Sequence, residues 1–295
     1  MKNTIFEGVA TALATPMHED GSINYDRLKT LIDEQIDAGI PALVICGTTG
    51  ESATMTLEEH AEVIRVAIEH TAGRVKIIAG AGSNDTACAI DLAKEAEAAG
   101  ADALLVVTPY YNKATQNGLV AHYKAIADSV SLPIIVYNVP SRTGVNIKPE
   151  TYAKMADIEN IVAIKEANGD ISSVVKTRRL CGDKLDIYSG NDDQVIPLMA
   201  MGGKGVISVL SNIMPKETIE MCDLMLKGDT KAAADMQVEL SSIADALFVE
   251  VNPIPVKTAM NLMGMDMGPL RLPMTPMEEG TKAVLVSELK KFNLI

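Results

Sequence analysis

Lys165 is the residue whose type and position in this sequence most directly suggest covalent chemistry. It follows four apolar residues, 161–164, and turn-forming residues occupy 168–170. A short apolar run bounded by turn residues is typical of a buried parallel strand, so we expect Lys165 at its C-terminal end. Burial disfavours the ammonium form and lowers the lysine pKa, which makes a neutral amine available to form a Schiff base. The alternative is a structural ion pair with Glu166 or Asp192, and position alone does not decide between the two.

Thr48 and Thr49 lie in a glycine-flanked segment, 47–52, that follows another apolar run. Two hydroxyl groups and several backbone amides in such a turn suit a carboxylate or another anion. An ordinary turn followed by a helix cap is the alternative interpretation of the same residues, and the turn alone favours neither.

Tyrosines and an arginine follow two further apolar runs. Tyr111 comes after the run at 103–107, and Tyr137 lies at the end of the run at 134–138, with Arg142 in the segment that follows. The tyrosines could relay protons and the guanidinium could clamp a carboxylate. In isolation, each tyrosine is more often a core residue with a polar tip, and each arginine is more often solvated.

Other motifs argue against a cofactor or a metal ion. The glycines in 80–85 lack the third glycine of a dinucleotide-binding turn, and the glycine-rich segment 202–205 precedes a strand and is expected on the opposite face of the fold. The four histidines show no metal-ligand spacing. We interpret Asp192-Asp193 as a cap for the helix that follows and not as a metal site.

Composition excludes several classes of partner. The chain has 295 residues, of which 47% are hydrophobic, and its net charge is −13, which argues against nucleic acid and anionic membranes. No apolar run has the length of a membrane span, and the first residues do not resemble a signal peptide. The four widely spaced cysteines form no CxxC pair and indicate a cytoplasmic protein with reduced thiols.

Eight strand-then-helix units of similar length predict an α/β fold, the (β/α)8 TIM barrel. The predicted strands are 9–14, 42–46, 75–79, 103–107, 134–138, 161–165, 185–189 and 205–209. We expect a barrel domain at 1–228 and a C-terminal helical appendage at 229–295, with helices at 231–248, 256–263 and 276–292. The appendage could also be an oligomer contact. A doubly wound open sheet is the second choice, but no glycine-rich phosphate turn occurs in the first unit.

Three segments in combination resemble the dihydrodipicolinate synthase family, and the resemblance covers essentially the whole chain. They are Gly-Thr-Thr-Gly-Glu at 47–51, Tyr-Asn-Val-Pro-Ser-Arg-Thr-Gly at 137–144 and Ile-Lys-Glu at 164–166. N-acetylneuraminate lyase and the 2-keto-3-deoxy sugar acid aldolases, in the same superfamily of pyruvate-dependent class I aldolases, share the first motif, the tyrosine and the lysine. Arg142 favours the synthase over these relatives, which remain the alternative.

The resemblance implies a lyase that works without a cofactor. Lys165 would form a Schiff base with pyruvate, and the derived enamine would attack L-aspartate-4-semialdehyde. The product would be 4-hydroxy-tetrahydrodipicolinate, in the first committed step of diaminopimelate and lysine biosynthesis.

The resemblance also implies roles for eight residues and an oligomer. Thr48, Tyr137 and Tyr111 would form a proton relay, with Tyr111 supplied by a neighbouring subunit. Thr49 would hold the pyruvate carboxylate and Arg142 that of the semialdehyde, and the backbone at Gly190 and Ile207 would line the lysine. We expect a homotetramer built as a dimer of dimers.

Weak feedback inhibition by lysine is a further expectation from the resemblance. Lysine-sensitive relatives bind the amino acid between two subunits, at positions that correspond to Ser52, Ala53, Leu57, His60, Asn84, Cys88 and Tyr110. Leu57 replaces a histidine and Cys88 replaces a glutamate at these positions. Loss of that carboxylate would leave the ligand's ammonium group without its partner.

Overall fold

Eight parallel strands close into a barrel in the order of the sequence, and β8 pairs with β1. The structure, a computed structural model, describes residues 4–295. The strands β1 to β8 are Gly8–Ala12, Ala42–Ile45, Lys76–Gly80, Ala103–Val107, Ile134–Asn138, Ile161–Glu166, Asp186–Ser189 and Gly205–Ser208. The predicted TIM barrel is therefore confirmed, and every strand boundary lies within two residues of the predicted one.

Helices surround the barrel and continue beyond it. Helices α1 to α12 are Tyr25–Asp37, Leu57–Thr71, Thr86–Ala99, Gln116–Ala127, Pro140–Thr143, Pro149–Met155, Ile171–Cys181, Val195–Ala200, Pro215–Leu226, Thr230–Ala246, Ile254–Leu262 and Glu279–Lys291. Within residues 4–295, no helix combines the length and the apolar character that crossing a membrane requires.

Local sequence explains where the helices begin and end. At α2, the Thr56 side chain accepts from the Glu59 amide at 3.2 Å, and the Glu59 carboxylate accepts from the Thr56 amide at 3.0 Å. This reciprocal capping satisfies two amides that a helix start leaves without partners. The unpredicted helix α5 begins at Pro140, whose ring suits the first helical position, and ends at Gly144 with φ of 69°. Arg142 therefore lies on one helical turn and not on an open loop.

The core has two layers, which explains the nearly continuous apolar runs of the strands. Small and branched side chains such as Ala10, Val44, Ile78 and Ile135 fill the barrel interior. A larger cluster packs between the outer face of the strands and the helices. Side chains at the C-terminal ends of the strands are thus held by a rigid wall, while the connecting segments above them form the site.

The C-terminal helices pack on one side of the barrel and return the chain to its C-terminal face. Helix α10 packs against α9, and α12 packs against both α10 and α11. The segment before α11 reaches the mouth of the barrel, where Asn252 is buried. This segment contributes side chains to the site described next.

Candidate active site

Six of the eight predicted site residues line one cavity of about 520 Å³ at the C-terminal ends of the strands. They are Thr48, Thr49, Tyr137, Arg142, Lys165 and Gly190. Residues from four different βα connections thus meet in one cavity, as the barrel topology requires. No group of three or more potential metal-ligating side chains was found among residues 4–295.

Lys165 projects from β6 into this cavity and is only 5% exposed. Its Nζ lies 4.3 Å from the centroid of the Tyr137 ring. Burial lowers the pKa of Lys165 from 10.5 to about 7; the charge of Asp192 opposes this shift and that of Arg142 adds to it. A large fraction of this amine is therefore neutral, and nucleophilic, at neutral pH.

Glu166 does not pair with Lys165, because neighbouring residues of a strand project to opposite faces. Its carboxylate accepts from Asn138 Nδ2 at 2.8 Å, from the Asn168 amide at 3.0 Å and from the Tyr152 hydroxyl at 2.9 Å. Burial raises the pKa of Glu166 to about 7. The structural ion pair considered for these two residues is therefore wrong.

Asp192 also differs from its predicted role as a helix cap. Its Oδ2 accepts from the backbone amides of Val209 and Leu210, at 3.0 Å each. Helix α8 begins without a side-chain cap. Because β7 and β8 are neighbours in the barrel, the amides after β8 come within hydrogen-bonding distance of Asp192. The carboxylate therefore joins two strand ends beside the cavity.

The turn at 47–51 is held in a constrained backbone conformation. Cys46 before it and Glu51 at its end have φ of 56° and 59°, in the left-handed region that is uncommon for such residues. The amides of Thr48 and Thr49 donate no hydrogen bond within the described part of the chain. They are free to bind an anion, as the sequence suggested.

Hydroxyl groups connect this turn to Tyr137. The Tyr137 hydroxyl forms a hydrogen bond with the Thr48 side chain, and burial raises its pKa while the Arg142 charge and this hydrogen bond lower it. Thr49 Oγ1 accepts from Asn252 Nδ2 at 3.0 Å. Thr48 thus faces the tyrosine, and Thr49 is fixed from the C-terminal region.

Sequence reasoning missed the residues that the C-terminal region supplies. Lys257 Nζ lies 2.7 Å from Glu51 Oε1, and the two side chains are 1% and 0% exposed. The other Glu51 oxygen accepts from the Arg271 amide at 3.1 Å. The buried carboxylate of Glu51 required a cation, but nothing in the sequence indicated which of the distant lysines supplies it.

Arg142 lies at the rim of the cavity, where α5 presents it. Its Nη2 donates to the backbone carbonyl of Asn252 at 2.9 Å. The other guanidinium nitrogens form no hydrogen bond with residues 4–295, so they are available for a carboxylate. Arg142 also borders a second cavity, described below.

Gly190, Tyr111 and Ile207 occupy different environments. A Cβ atom at Gly190 would lie 2.8 Å from the Ala167 Cβ and 3.1 Å from Lys165 Cε, so only glycine leaves room for the lysine. Tyr111 is 89% exposed, has φ of 72° and does not line the cavity of its own chain. Ile207 is fully buried in the barrel interior, in the same cluster as Tyr137.

A second cavity of about 470 Å³ lies beside the first and shares Thr48, Tyr137 and Arg142 with it. Its wall includes six of the seven positions that the resemblance connects with lysine binding, all except Asn84. Leu57, one of the two replaced positions, is 59% exposed. The two cavities therefore share part of one wall.

Residues 5–292 match the model of the dihydrodipicolinate synthetase family. The chain belongs to this family. A 4-hydroxy-tetrahydrodipicolinate synthase from Lachnoclostridium phytofermentans is 55% identical over 292 residues, which is 99% of each chain. A crystal structure of dihydrodipicolinate synthase from Aquifex aeolicus has a TM-score of 0.96 and 45% identity, and covers 98% of this chain and 99% of that one.

The fold of this chain is equally similar to that of a chloride-inhibited dihydrodipicolinate synthase from Acinetobacter baumannii in complex with pyruvate. Its TM-score is 0.96 and its identity 43%, and the match covers 99% of this chain and all of the other. The family expected from the three motifs is confirmed.

Proposed function

We propose that this protein is a lyase with 4-hydroxy-tetrahydrodipicolinate synthase activity, in lysine biosynthesis, and that it joins pyruvate to L-aspartate-4-semialdehyde. The observation that carries the proposal is Lys165, a buried amine with a pKa of about 7 in a cavity lined by hydroxyls and an arginine. Relatives that match the full length support it, and one similar enzyme binds pyruvate.

The reaction begins when neutral Lys165 Nζ attacks the C2 carbonyl carbon of pyruvate. The carbonyl oxygen leaves as water, and the nitrogen retains one proton and a positive charge. Loss of a C3 proton then delivers the C–H electron pair to the nitrogen, which gives a neutral enamine. The enamine carbon attacks the aldehyde, a new C–C bond forms, and the aldehyde oxygen takes up a proton. The amino group of the second substrate then attacks the C2 iminium carbon, which closes the ring and releases the lysine.

Protons move through the hydroxyls beside the lysine. The hydrogen bond between Thr48 and Tyr137 supports a relay from the cavity to the aldehyde oxygen. Tyr137 also lies against the Lys165 amine. Tyr111 completes the relay from a second subunit, because in its own chain it is exposed and outside the cavity.

Two anion sites orient the substrates. The free amides of Thr48 and Thr49 bind the pyruvate carboxylate, and the Thr49 hydroxyl, which is fixed by Asn252, orients it. Arg142 binds the carboxylate of the semialdehyde with the guanidinium nitrogens that Asn252 does not occupy. Gly190 leaves room for Lys165 because it has no side chain. Ile207 packs in the barrel interior and limits the space around the lysine.

The role of Tyr111 requires an oligomer, and we propose a homotetramer that is a dimer of dimers. In an isologous dimer, each subunit supplies Tyr111 to the other's site. We also propose a cytoplasmic location, which is supported by four free cysteines, three of them buried.

A coupled assay with pyruvate and aspartate semialdehyde tests this function. We expect turnover that depends on both substrates, and no comparable rate when N-acetylmannosamine or a sugar aldehyde replaces the semialdehyde. Faster turnover with a sugar aldehyde would favour the aldolase alternative instead. An absence of turnover with every aldehyde would indicate a binding protein.

A further inference from the structure

We propose that Asp192 is the counter-charge for the cation that forms at Lys165 when the imine is made. The proposal rests on the proposed function and deepens it, because it assigns a role to a residue outside the cavity wall. Asp192 acts through Lys165 and does not touch the substrate, so it is a positioning residue and not a catalytic one.

The first observation is an unpaired carboxylate oxygen. Asp192 is 4% exposed, and its Oδ2 accepts from the backbone amides of Val209 and Leu210. Its Oδ1 is buried and has no hydrogen-bond partner in the part of the chain that the structure describes. An unsatisfied buried carboxylate oxygen is unfavourable, and its presence calls for a functional explanation.

The second observation is the set of charges around Lys165. Asp192 and Arg142 are the two charged groups that act on this amine, and they act in opposite directions. Tyr137 from β5 presents its ring to the amine, and Tyr188 from β7 donates its hydroxyl to the Phe6 carbonyl instead. Glu166 is occupied by Asn138 and Tyr152. Asp192 is therefore the anion that acts on this amine in the described part of the chain, and its hydrogen bond from the Val209 amide holds it beside a residue that lines the Lys165 cavity.

The chemistry requires such an anion for only part of the cycle. The iminium nitrogen carries a positive charge in a buried cavity, and this charge disappears when the enamine forms. A fixed anion stabilises the iminium and so promotes the attack that generates it and the step after condensation that regenerates it. Two backbone amides hold one oxygen of the carboxylate in place when the charge develops.

An ionised Asp192 is consistent with its contacts. Burial raises its pKa, but the hydrogen bonds from Ser208, Leu210 and Val209 and the charge of Lys165 all lower it. Groups that only donate to a carboxylate favour its charged form. The two backbone donors and a cation at Lys165 thus favour the ionised carboxylate, which is the form that the proposal assigns to the iminium state.

The test measures exchange of pyruvate C3 protons with D2O by NMR, which needs no second substrate. Wild type, Asp192→Asn and Asp193→Asn are compared across pH. Asp193, the adjacent acid, is the matched control, because it does not act on Lys165. At low pH the exchange rate falls as Lys165 becomes protonated, and we call this part of the pH–rate profile the acid limb. In Asp192→Asn we expect the acid limb to move down by about one pH unit, since the loss of an opposite charge lowers the pKa of the amine.

The pyruvate concentration that gives half-maximal exchange should also rise by about tenfold in Asp192→Asn, because the iminium that forms from pyruvate and Lys165 loses its counter-charge. Asp193→Asn should match wild type in both respects. An acid limb and a half-maximal pyruvate concentration that are both unchanged in Asp192→Asn would overturn the proposal, since a purely structural role does not move the limb. If wild type itself exchanges no protons, the proposed function fails instead.

Ser208→Ala keeps the proposal testable if Asp192→Asn does not fold. This variant removes one donor to the Asp192 carboxylate, so the anion becomes less favourable. We expect a smaller downward movement of the same acid limb. An unchanged limb in a folded Ser208→Ala enzyme would count against Asp192 as the counter-charge.

Discussion

Lys165 and Lys257 are both buried, and replacing each with methionine should change stability in opposite directions. Lys165 lies in the cavity with no ion pair among residues 4–295, whereas Lys257 contacts Glu51 at 2.7 Å. Methionine keeps the length of the side chain and removes its charge. The comparison separates a lysine held for chemistry from one that stabilises the fold.

The magnitude for Lys165 follows from its pKa, which burial lowers from 10.5 to about 7. At about 1.4 kcal/mol per pH unit, the protonated lysine costs the folded state about 5 kcal/mol. Because the folded pKa is the lower one, the unfolded chain binds more protons between pH 7 and 10.5, and the free energy of unfolding rises with pH there. Methionine removes this cost, so its advantage is fully present below pH 7 and is lost towards pH 10.5.

Removal of the Lys165 charge also removes a favourable interaction of Asp192, which offsets part of the gain. We therefore expect Lys165→Met to be about 2–4 kcal/mol more stable than wild type at pH 6. Lys257→Met leaves the buried Glu51 carboxylate without its cation and should cost about 3–5 kcal/mol.

Urea unfolding of wild type and both variants between pH 6 and pH 10, at one protein concentration, measures these differences. Lys165→Met should also be inactive, because the lysine that lowers the stability of the wild type is the one that the reaction requires. A Lys165→Met protein that is less stable than wild type at pH 6 would refute the reasoning. A stability difference that is the same at every pH would refute it equally.

Three further predictions concern the substrates, the oligomer and the effector. Arg142→Ala should raise the KM for the semialdehyde by about tenfold or more and that for pyruvate much less, as the loss of a charged hydrogen bond implies; equal changes would make Arg142 structural. Tyr111→Phe and Lys165→Ala, each inactive alone, should regain activity when their subunits are mixed, and no recovery despite proven subunit exchange would exclude a role across the interface. L-lysine, titrated against the initial rate at pyruvate near its KM, should inhibit weakly, because Leu57 and Cys88 provide no charged partner; strong inhibition below millimolar lysine would contradict this.

Much of the fold was predictable because each strand carries a local signal. Buried parallel strands are apolar on both faces, so runs such as Ile161–Glu166 stand out from their turn-forming neighbours. The strand ends then locate Thr48, Tyr137 and Lys165 on one face without knowledge of their distances. The short helix at Pro140–Thr143 was missed because four residues carry no helical periodicity.

Contacts between distant parts of the chain were not predictable. Asp192 resembles a helix cap in sequence, but its carboxylate accepts from the amides of Val209 and Leu210, which strand pairing brings close, and not from amides of the local helix. Lys257 and Asn252 reach the site from a region expected to be an appendage. The division into 1–228 and 229–295 stays a prediction, and these contacts show how the second part serves the first.

Borohydride reduction in the presence of pyruvate tests the central claim most directly. Reduction traps the imine, and mass spectrometry of the digested protein locates the added pyruvate-derived group. We predict one pyruvate-dependent modification, on the peptide that contains Lys165, and none in Lys165→Ala. Modification of a different lysine, or full activity in Lys165→Ala, would contradict the account.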